Sequence, residues 1–293
     1  MRPIDLDQLR RWIGPVHTDH DQAALRHARL MTATIDRPGA ALQAGDALPP
    51  LWHWLYFLEG QPPAELGPDG HPARGGFLPP VPLPNRMWAG GRVEFEAPIP
   101  LGAAMEKRSQ VLRVEHKQGR SGELVFVTVQ HEVFVAGRRC LREEHDIVYK
   151  RPTPASAPAA AAATVVPLPA PGAHQRVITP DATLLFRYSA LTFNGHRIHY
   201  DQTYCREVEG YDDLVIHGPL NATLLAGLAA EVATELSGRP LSHFDYRNLS
   251  PVTLGATLTL HAQPDAQACQ AQLWLHDQRG RVAIQASASW QDA

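Results

Sequence analysis

Residues 219–236 read Pro-Leu-Asn-Ala-Thr-Leu-Leu-Ala-Gly-Leu-Ala-Ala-Glu-Val-Ala-Thr-Glu-Leu, the longest helical pattern in the chain. Proline is favoured at the first position of a helix and glycine just beyond its last, so Pro219 and Gly238 mark the two ends. The many small residues allow a sheet to approach the helix closely. This stretch therefore predicts a buried central helix, and the rest of the fold can be placed around it.

Strand-like segments with apolar residues at every second position follow this helix. Such alternation, interrupted by glycine turns, is typical of antiparallel hairpins with one buried face. The pattern occurs twice, because Pro98-Ile-Pro-Leu-Gly102 recurs as Pro251-Val-Thr-Leu-Gly255 with alternating strands after each copy. Residues 51–58 are a weaker counterpart of the helix in the first copy. The repeat predicts two α+β units, each a central helix wrapped by a curled antiparallel sheet.

A stretch rich in alanine and proline separates the two units. Proline removes backbone donors and disfavours helix in the residue before it, so residues 151–175 predict an extended linker. We therefore expect an N-terminal unit at residues 1–150 and a C-terminal unit at residues 176–293, both of ordinary domain size.

Composition excludes several classes of protein. The 293 residues include 27 basic and 30 acidic side chains, a balance without the clustered basic face that nucleic-acid binding needs. Three dispersed cysteines form neither a disulfide framework nor a zinc knuckle, which favours a reducing, cytoplasmic location. Charges of both signs near Met1 and the lack of a long apolar run predict no export signal and no membrane span.

Histidines are numerous, 15 in all, and they gather in Asn194-Gly-His-Arg-Ile-His-Tyr-Asp201, sixteen residues before His217. Imidazole titrates near neutral pH, so His199 is a candidate acid–base group and Asp201 a candidate for orienting it. The first N–H groups of a helix lack internal partners and lie at the positive end of its dipole. The amide of Gly218 can therefore stabilise an oxyanion.

No metal or redox cofactor is predicted. His196 and His199 are three residues apart, but no Glu or His at metal-ligand spacing follows them. The chain has neither a Gly-x-Gly-x-x-Gly motif nor a phosphate loop of the Walker type.

Residues 188–225 resemble the hydratase motif of the MaoC and R-specific enoyl-CoA hydratase families, in which Asp-x-Asn-Pro-Leu-His-x-Asp precedes a His-Gly that opens the hot-dog helix. More closely, nearly the whole chain resembles the double hot-dog mesaconyl-CoA (3-methylfumaryl-CoA) hydratase group, which is itself similar to mitochondrial hydroxyacyl-thioester dehydratases. Three segments carry this resemblance: Phe77-Leu-Pro-Pro-Val-Pro-Leu-Pro-Asn-Arg-Met-Trp-Ala-Gly-Gly91, Glu143-Glu-His-Asp-Ile-Val-Tyr149 and Leu191-Thr-Phe-Asn-Gly-His-Arg-Ile-His-Tyr-Asp201. It implies two hot-dog units, a hydro-lyase, and an acyl-CoA substrate that brings its own coenzyme A.

The resemblance also implies roles for single residues. His199 matches the family's catalytic His, Asp201 the Asp that follows it, and Gly218 the backbone position that polarises the thioester. Asn194 stands where single-domain hydratases have their catalytic Asp. An amide cannot accept a proton near neutral pH, so we predict that His199 is the principal base. Asn194 would hold the water or the substrate, and Asp201 would orient His199 or substitute for the missing carboxylate.

The implied reaction adds water to the double bond of a short, branched dicarboxylyl acyl-CoA such as itaconyl-CoA or mesaconyl-CoA. Its free carboxylate needs a cation, and guanidinium grips a carboxylate with two parallel hydrogen bonds, so Arg86 and Arg247 are candidates. His217 is a candidate substrate contact or a cap of the helix. The N-terminal unit lacks the 194–199 motif and is expected to complete the substrate groove.

Two alternatives stay open, a non-catalytic module that binds acyl thioesters and a hot-dog thioesterase. Hot-dog units usually pair their sheets. An internal duplication can satisfy this pairing within one chain, and a homodimer of such chains is a further expectation.

Overall fold

The computed structural model describes residues 4–37, 39, 41–119, 122–151 and 174–290. Most of the predicted linker at residues 151–175 lies outside these ranges. Its last two residues, His174 and Gln175, belong to a strand, so the linker ends before them.

Within the described residues, ten strands form one antiparallel sheet. In chain order they are β1 (Val16–Gln22), β2 (Asn85–Phe95), β3 (Ala104–Gly119), β4 (Gly122–Val135), β5 (Arg138–Lys150), β6 (His174–Ile178), β7 (His243–Asn248), β8 (Leu258–Asp265), β9 (Gln270–Asp277) and β10 (Val282–Ser289). Their order across the sheet is β1-β3-β4-β5-β2-β7-β10-β9-β8-β6. If the strands are numbered within each unit, the order from the outer edge to the centre of the sheet is the same in both units: first, third, fourth, fifth and second. The predicted duplication is confirmed, and β2 pairs with β7 where the two copies meet.

The helices of the described chain are α1 (Leu6–Arg10), α2 (Leu25–Thr34), α3 (Ala182–Leu191), α4 (Gln202–Glu207) and α5 (Gly218–Ser237). The predicted central helix is α5, which packs against β8, β9 and β10. It ends where expected, because Gly238 has a φ of 69°, a left-handed conformation that glycine adopts without strain.

The proline–glycine motifs occupy equivalent places in the two units. Residues 98–102 bond to residues 46–48, and residues 251–255 bond to residues 214–216 in the same pattern. This equivalence places residues 51–58 where α5 begins in the other unit.

At that place the N-terminal unit has one helical turn instead of a long helix. Only Trp52–Leu55 form a 3₁₀ turn, and it starts after Leu51 at a φ of 65° and ends at Tyr56 in extended conformation. The predicted counterpart of α5 is therefore shortened to a single turn, and Trp52 and Tyr56 of this segment are buried in the core.

The main core lies between α5 and the sheet of the C-terminal unit. Leu220 and Leu225 on α5, and Leu260 and Leu273 on the sheet, are fully buried. Burial of apolar surface is the main favourable term in folding, at about 25 cal/mol per Å². In the described part of the chain, no helix is long and apolar enough to cross a membrane.

Candidate active site

A cavity of about 470 Å³ lies between the two units. The C-terminal unit lines it with residues 194–199, the start of α5 and residues 248–252, and the N-terminal unit lines it with residues 69–71 and part of its sheet. A second cavity of about 780 Å³ shares six lining residues with the first: His71, Trp88, His131, His145, Asn194 and Pro219. The two cavities therefore adjoin along a common wall.

Four predicted site residues meet at the first cavity: His199, Asn194, Gly218 and Arg86. The other three, Asp201, Arg247 and His217, line neither cavity. The contacts of these three residues are described below.

His199 is held in one tautomer by the backbone. Its Nδ1 lies 2.7 Å from the carbonyl oxygen of Val215, which can only accept, so Nδ1 carries the proton and Nε2 keeps its lone pair. The side chain is only 7% exposed. Burial lowers the pKa of His199 to about 4, although the bond to Val215 acts in the opposite direction. The ring is neutral near pH 7 and can act as a base through Nε2.

His217 supports His199 from behind and does not face the substrate space. The two rings are stacked, with centroids 3.6 Å apart and planes inclined by 19°. Nε2 of His217 hydrogen bonds with the hydroxyl of Ser189 at 2.8 Å, and the side chain is completely buried. The predicted substrate contact is therefore replaced by a packing contact that fixes the plane of the catalytic candidate.

Asp201 forms the end of a helix instead of orienting His199. One oxygen accepts a hydrogen bond from the backbone N–H of Tyr204, at 2.9 Å, and so caps α4. The other accepts from the guanidinium of Arg197 at 2.7 Å. The carbonyl of Val215, and not Asp201, orients the imidazole.

Gly218 is the first residue of α5, so its N–H has no partner inside the helix. It lines the cavity, and a Cβ built on it would lie 3.1 Å from the side-chain nitrogen of Asn248. That nitrogen donates to the carbonyl oxygen of Trp88 at 2.9 Å, which connects the two units at this point. The amide at the helix start is thus placed at the cavity wall with little room for a side chain.

Asn221, one turn further along α5, was not among the site residues predicted from the sequence. It lines the cavity, is 4% exposed, and its Oδ1 has no hydrogen-bond partner among the described residues. A buried acceptor without a partner is costly, so such an atom is a natural contact for water or a polar group of a ligand. The signal available in the sequence was an asparagine among the leucines and alanines of the first half of the helix.

Asn194 lines both cavities. Its Oδ1 accepts from the backbone N–H of His196 at 2.9 Å, which turns the loop toward His199. The side-chain NH₂ has no acceptor among the described residues, so it can donate to a water or a substrate oxygen.

The two candidate arginines differ in where they point. Arg86 on β2 lines the cavity, and no carboxylate in the described part of the chain forms an ion pair with it. Arg247 on β7 is exposed, since it alternates with the buried Phe244 and Tyr246 and so lies on the outer face of the sheet. Arg247 therefore lies away from the cavity, whereas Arg86 lines it.

The N-terminal unit places buried histidines and a buried glutamate beside the cavities. His131 and His145 border both cavities, and burial lowers their pKa values to about 3 and about 4, so both are neutral. Beside the second cavity, the buried Glu143 accepts from His53 at 2.9 Å and from Trp54 at 3.0 Å. Burial alone would raise the pKa of Glu143, but the hydrogen bond from His53 and the nearby imidazoles lower it to about 2. This anion fixes two rings of the wall.

One group of side chains has the donor chemistry of a metal site. Asp69, His71 and His196 each place one ligand atom within 4.8 Å of the others. Both oxygens of Asp69, however, accept hydrogen bonds from His71, one from the backbone N–H at 3.1 Å and one from Nδ1 at 3.3 Å. We interpret the pair as a carboxylate–imidazole dyad, since each oxygen of Asp69 already accepts a hydrogen bond from His71.

Comparison with known proteins agrees with this architecture. The sequence profile of a family described as hydroxyacyl-thioester dehydratase type 2 matches residues 51–254. The chain is 43% identical to the mesaconyl-C(4)-CoA hydratase of Chloroflexus aurantiacus over 258 residues, 87% of this chain and 88% of that protein. It is 26% identical to the mitochondrial hydroxyacyl-thioester dehydratase type 2 of Schizosaccharomyces pombe, over 86% of this chain and 88% of that protein.

Solved structures share the fold at low sequence identity. A MaoC-like dehydratase superposes with a TM-score of 0.69 at 15% identity, over 97% of this chain and all of that one. A Mycobacterium tuberculosis protein described as a double hot-dog superposes with a TM-score of 0.54 at 16% identity, over 95% and 96% of the two chains. The chain therefore belongs to the hydroxyacyl-thioester dehydratase type 2 family and is a hydro-lyase built from two hot-dog units.

Proposed function

We propose that the protein adds water to, and removes it from, the double bond of a short, branched dicarboxylyl acyl-CoA of the itaconyl-CoA or mesaconyl-CoA type. The observation that carries this is one cavity lined by a neutral histidine base, a helix-start amide and an arginine without an ion-pair partner among the described residues. The hydratase relative from Chloroflexus supports the same substrate class.

The residues divide the reaction between them. His199 takes a proton from a water through Nε2, and the water oxygen attacks the β-carbon. The N–H of Gly218 stabilises the enolate oxygen that develops on the thioester, because it lies at the positive end of α5. Asn194 and Asn221 hold the water or the acyl group by hydrogen bonds. The α-carbon then takes up a proton.

Arg86 would bind the second carboxylate of the substrate. A guanidinium near the neutral His145 and His196 offers its donors to an incoming anion, and no carboxylate in the described part of the chain forms an ion pair with it. Charge-assisted pairs of this kind are about twice as strong as neutral hydrogen bonds.

One assay separates this function from the alternatives. Mesaconyl-, itaconyl- and crotonyl-CoA are incubated with the protein while the absorbance of the conjugated thioester, thiol release and the separated CoA esters are followed. Hydration converts the unsaturated CoA ester into a hydroxyacyl-CoA ester, so the absorbance of the conjugated thioester falls without release of thiol, with mesaconyl- or itaconyl-CoA preferred over crotonyl-CoA. Thiol release would indicate a thioesterase, and binding without turnover would indicate a non-catalytic module. Either result would refute the proposal. A homodimer and a cytoplasmic location stay predictions.

A further inference from the structure

The N-terminal unit brings a carboxylate to the cavity that Asn194 lines. Asp69 and His71 lie on the loop that precedes β2, more than 120 residues earlier in the chain, and both line the first cavity. Neither belongs to the motif that suggested the active site.

This loop is built against the loop that carries His199. The backbone N–H of Arg197 donates to the carbonyl oxygen of Asp69 at 2.9 Å. The two loops touch through glycines: a Cβ on Gly70 would lie 2.1 Å from the carbonyl oxygen of Gly195, and a Cβ on Gly195 would lie 2.9 Å from that of Gly70. Only glycine fits at either position, so the contact fixes the Asp69–His71 pair against the catalytic loop.

The pair has the geometry of an oriented imidazole. Nδ1 of His71 donates to Asp69, so Nε2 keeps its lone pair and has no hydrogen-bond partner among the described residues. Burial would raise the pKa of Asp69, but its hydrogen bonds from His71 hold that pKa well below its usual range. Burial lowers the pKa of His71, and the hydrogen bond and charge of Asp69 act in the opposite direction, so Asp69 is an anion that partly offsets the cost of a positive charge on His71.

His199 lacks such a counter-charge. Its Nδ1 faces the neutral carbonyl of Val215, and its immediate ring neighbours are His196 and His217. A proton taken from water is therefore poorly stabilised on His199. His196 lies between the two imidazoles, with ring centroids 5.5 Å from His199 and 4.2 Å from His71.

We propose that His71, with Asp69 as its positioning residue, is the second acid–base residue of the site and returns the proton to the α-carbon. The inference rests on the hydration proposed above. The proton that His199 takes from water passes by way of His196 to Nε2 of His71, where Asp69 partly offsets the cost of the charge.

Hydration by this path breaks and forms the following bonds. An O–H bond of water breaks and a C–O bond forms at the β-carbon, while the pair of the Cα–Cβ double bond shifts between the α-carbon and the carbonyl carbon and the carbonyl pair moves to the oxygen at Gly218. The carbonyl bond then forms again, and the pair returned to the α-carbon forms the new C–H bond with the proton from His71. All three histidines begin and end neutral, and dehydration follows the reverse path.

The test uses the full chain and mesaconyl-CoA or, if it is the better substrate, itaconyl-CoA. His71→Gln is expected to lower kcat by about a hundredfold or more, the usual contribution of an acid–base residue, with KM changed less than about threefold. His71→Ala should regain activity when imidazole is added to the buffer. Asp69→Asn should lower kcat about tenfold, and Asp69→Glu should recover part of the loss, as expected of a carboxylate that acts through its charge. His20→Gln, on the exposed edge strand β1, is the matched control and should leave kcat unchanged.

Folding is checked for every variant by circular dichroism. If the wild-type protein is active and a folded His71→Gln variant keeps more than a third of its kcat, the proposal is overturned. It is equally overturned if imidazole does not rescue His71→Ala, or if a chelator abolishes wild-type activity and a divalent cation restores it. An inactive wild-type protein would instead refute the hydratase function, and this inference would fall with it.

Discussion

A histidine acts as a base when it is neutral and one ring nitrogen is free, and His199 meets both conditions through its surroundings. The carbonyl of Val215 takes the Nδ1 proton, the His217 ring fixes the plane, and burial keeps the imidazole uncharged. These contacts give Nε2 a constant direction, which matters because a misplacement of about 1 Å can cost a hundredfold in rate.

The lowered pKa of His199 predicts an unusual pH profile. The base is active when deprotonated, so kcat/KM should fall only as the pH drops through about 4, whereas a histidine at its ordinary pKa would lose activity near pH 6.5. Three other histidines surround His199: His196, His217 and His71. A positive charge on His71 would disfavour protonation of His199, and His196 and His217 are its ring neighbours. Stopped-flow assays after a rapid change of pH, with folding followed by fluorescence, measure the acidic limb. Loss of half the activity near pH 6.5 in a folded protein would contradict the assignment.

Arg86 is predicted to select the dicarboxylyl substrate. Removing a charged hydrogen-bond donor costs about 1.5 to 3 kcal/mol, so Arg86→Ala should raise KM for mesaconyl-CoA by roughly ten- to a hundredfold. KM for crotonyl-CoA, which has no second carboxylate, should change by less than about threefold. Arg247→Ala is the matched control, because that guanidinium lies on the outer face of the sheet. If Arg86→Ala raised KM equally for both substrates, Arg86 would not bind the second carboxylate.

The sequence could locate these residues only where a local pattern encodes their position. His199, Asn194 and Gly218 were predictable because they belong to one motif and one helix start. Asp201 lies two residues after His199, as the family motif requires, yet its oxygens accept hydrogen bonds from the first turn of α4 and from Arg197. Only the side-chain geometry shows this. His71 could not be found, since nothing local indicates that its loop crosses to the other unit.

At the scale of elements, the site depends on how loops and one helix start meet. α5 carries the oxyanion candidate because Gly218 begins the helix, and the strand alternation of β7 decides that Arg247 faces away from the cavity. Both helix and strands were predictable from periodicity. The shortened helix at Trp52–Leu55 was not, because its boundaries depend on a left-handed Leu51 that the apolar pattern does not signal.

The glycine contact between the two loops predicts an element-scale defect. In Gly70→Ala, the added Cβ would overlap the carbonyl oxygen of Gly195, so the 67–72 loop must move off the catalytic loop. We expect kcat to fall by about a hundredfold, because His71 and Asp69 move with it. Gly137→Ala is the matched control, since Gly137 also has a positive φ but no atom within 4 Å of the added carbon.

Thermal unfolding distinguishes a moved loop from a damaged fold. Both variants should keep a cooperative unfolding transition, and Gly70→Ala should unfold at the lower temperature, because the overlap with Gly195 adds to the backbone strain that both changes share. An active Gly70→Ala variant would show that the loop contact is not required.

At the scale of the whole molecule, the two units are joined by one continuous sheet and a shared cavity. β2 pairs with β7, Trp88 Nε1 donates to the hydroxyl of Tyr246, and Asn248 donates to the carbonyl of Trp88. The N-terminal unit also contributes Arg86 and His71 to the cavity. Residues of both units therefore line the candidate site, although only the C-terminal unit carries the 194–199 motif in its sequence.

This arrangement predicts that covalent continuity through the linker is dispensable once the protein is folded. A protease site inserted between residues 160 and 161, then cleaved, should leave two fragments that co-elute in gel filtration and keep at least half of kcat. The reason is that the β2–β7 pairing and the described cavity wall already join residues of both units. The uncleaved insertion variant is the control. Neither fragment expressed alone should be active, because His199 and Gly218 would lack Arg86 and the N-terminal wall. Separation of the cleaved fragments in dilute buffer, or activity of the C-terminal fragment alone, would contradict a site shared by the two units.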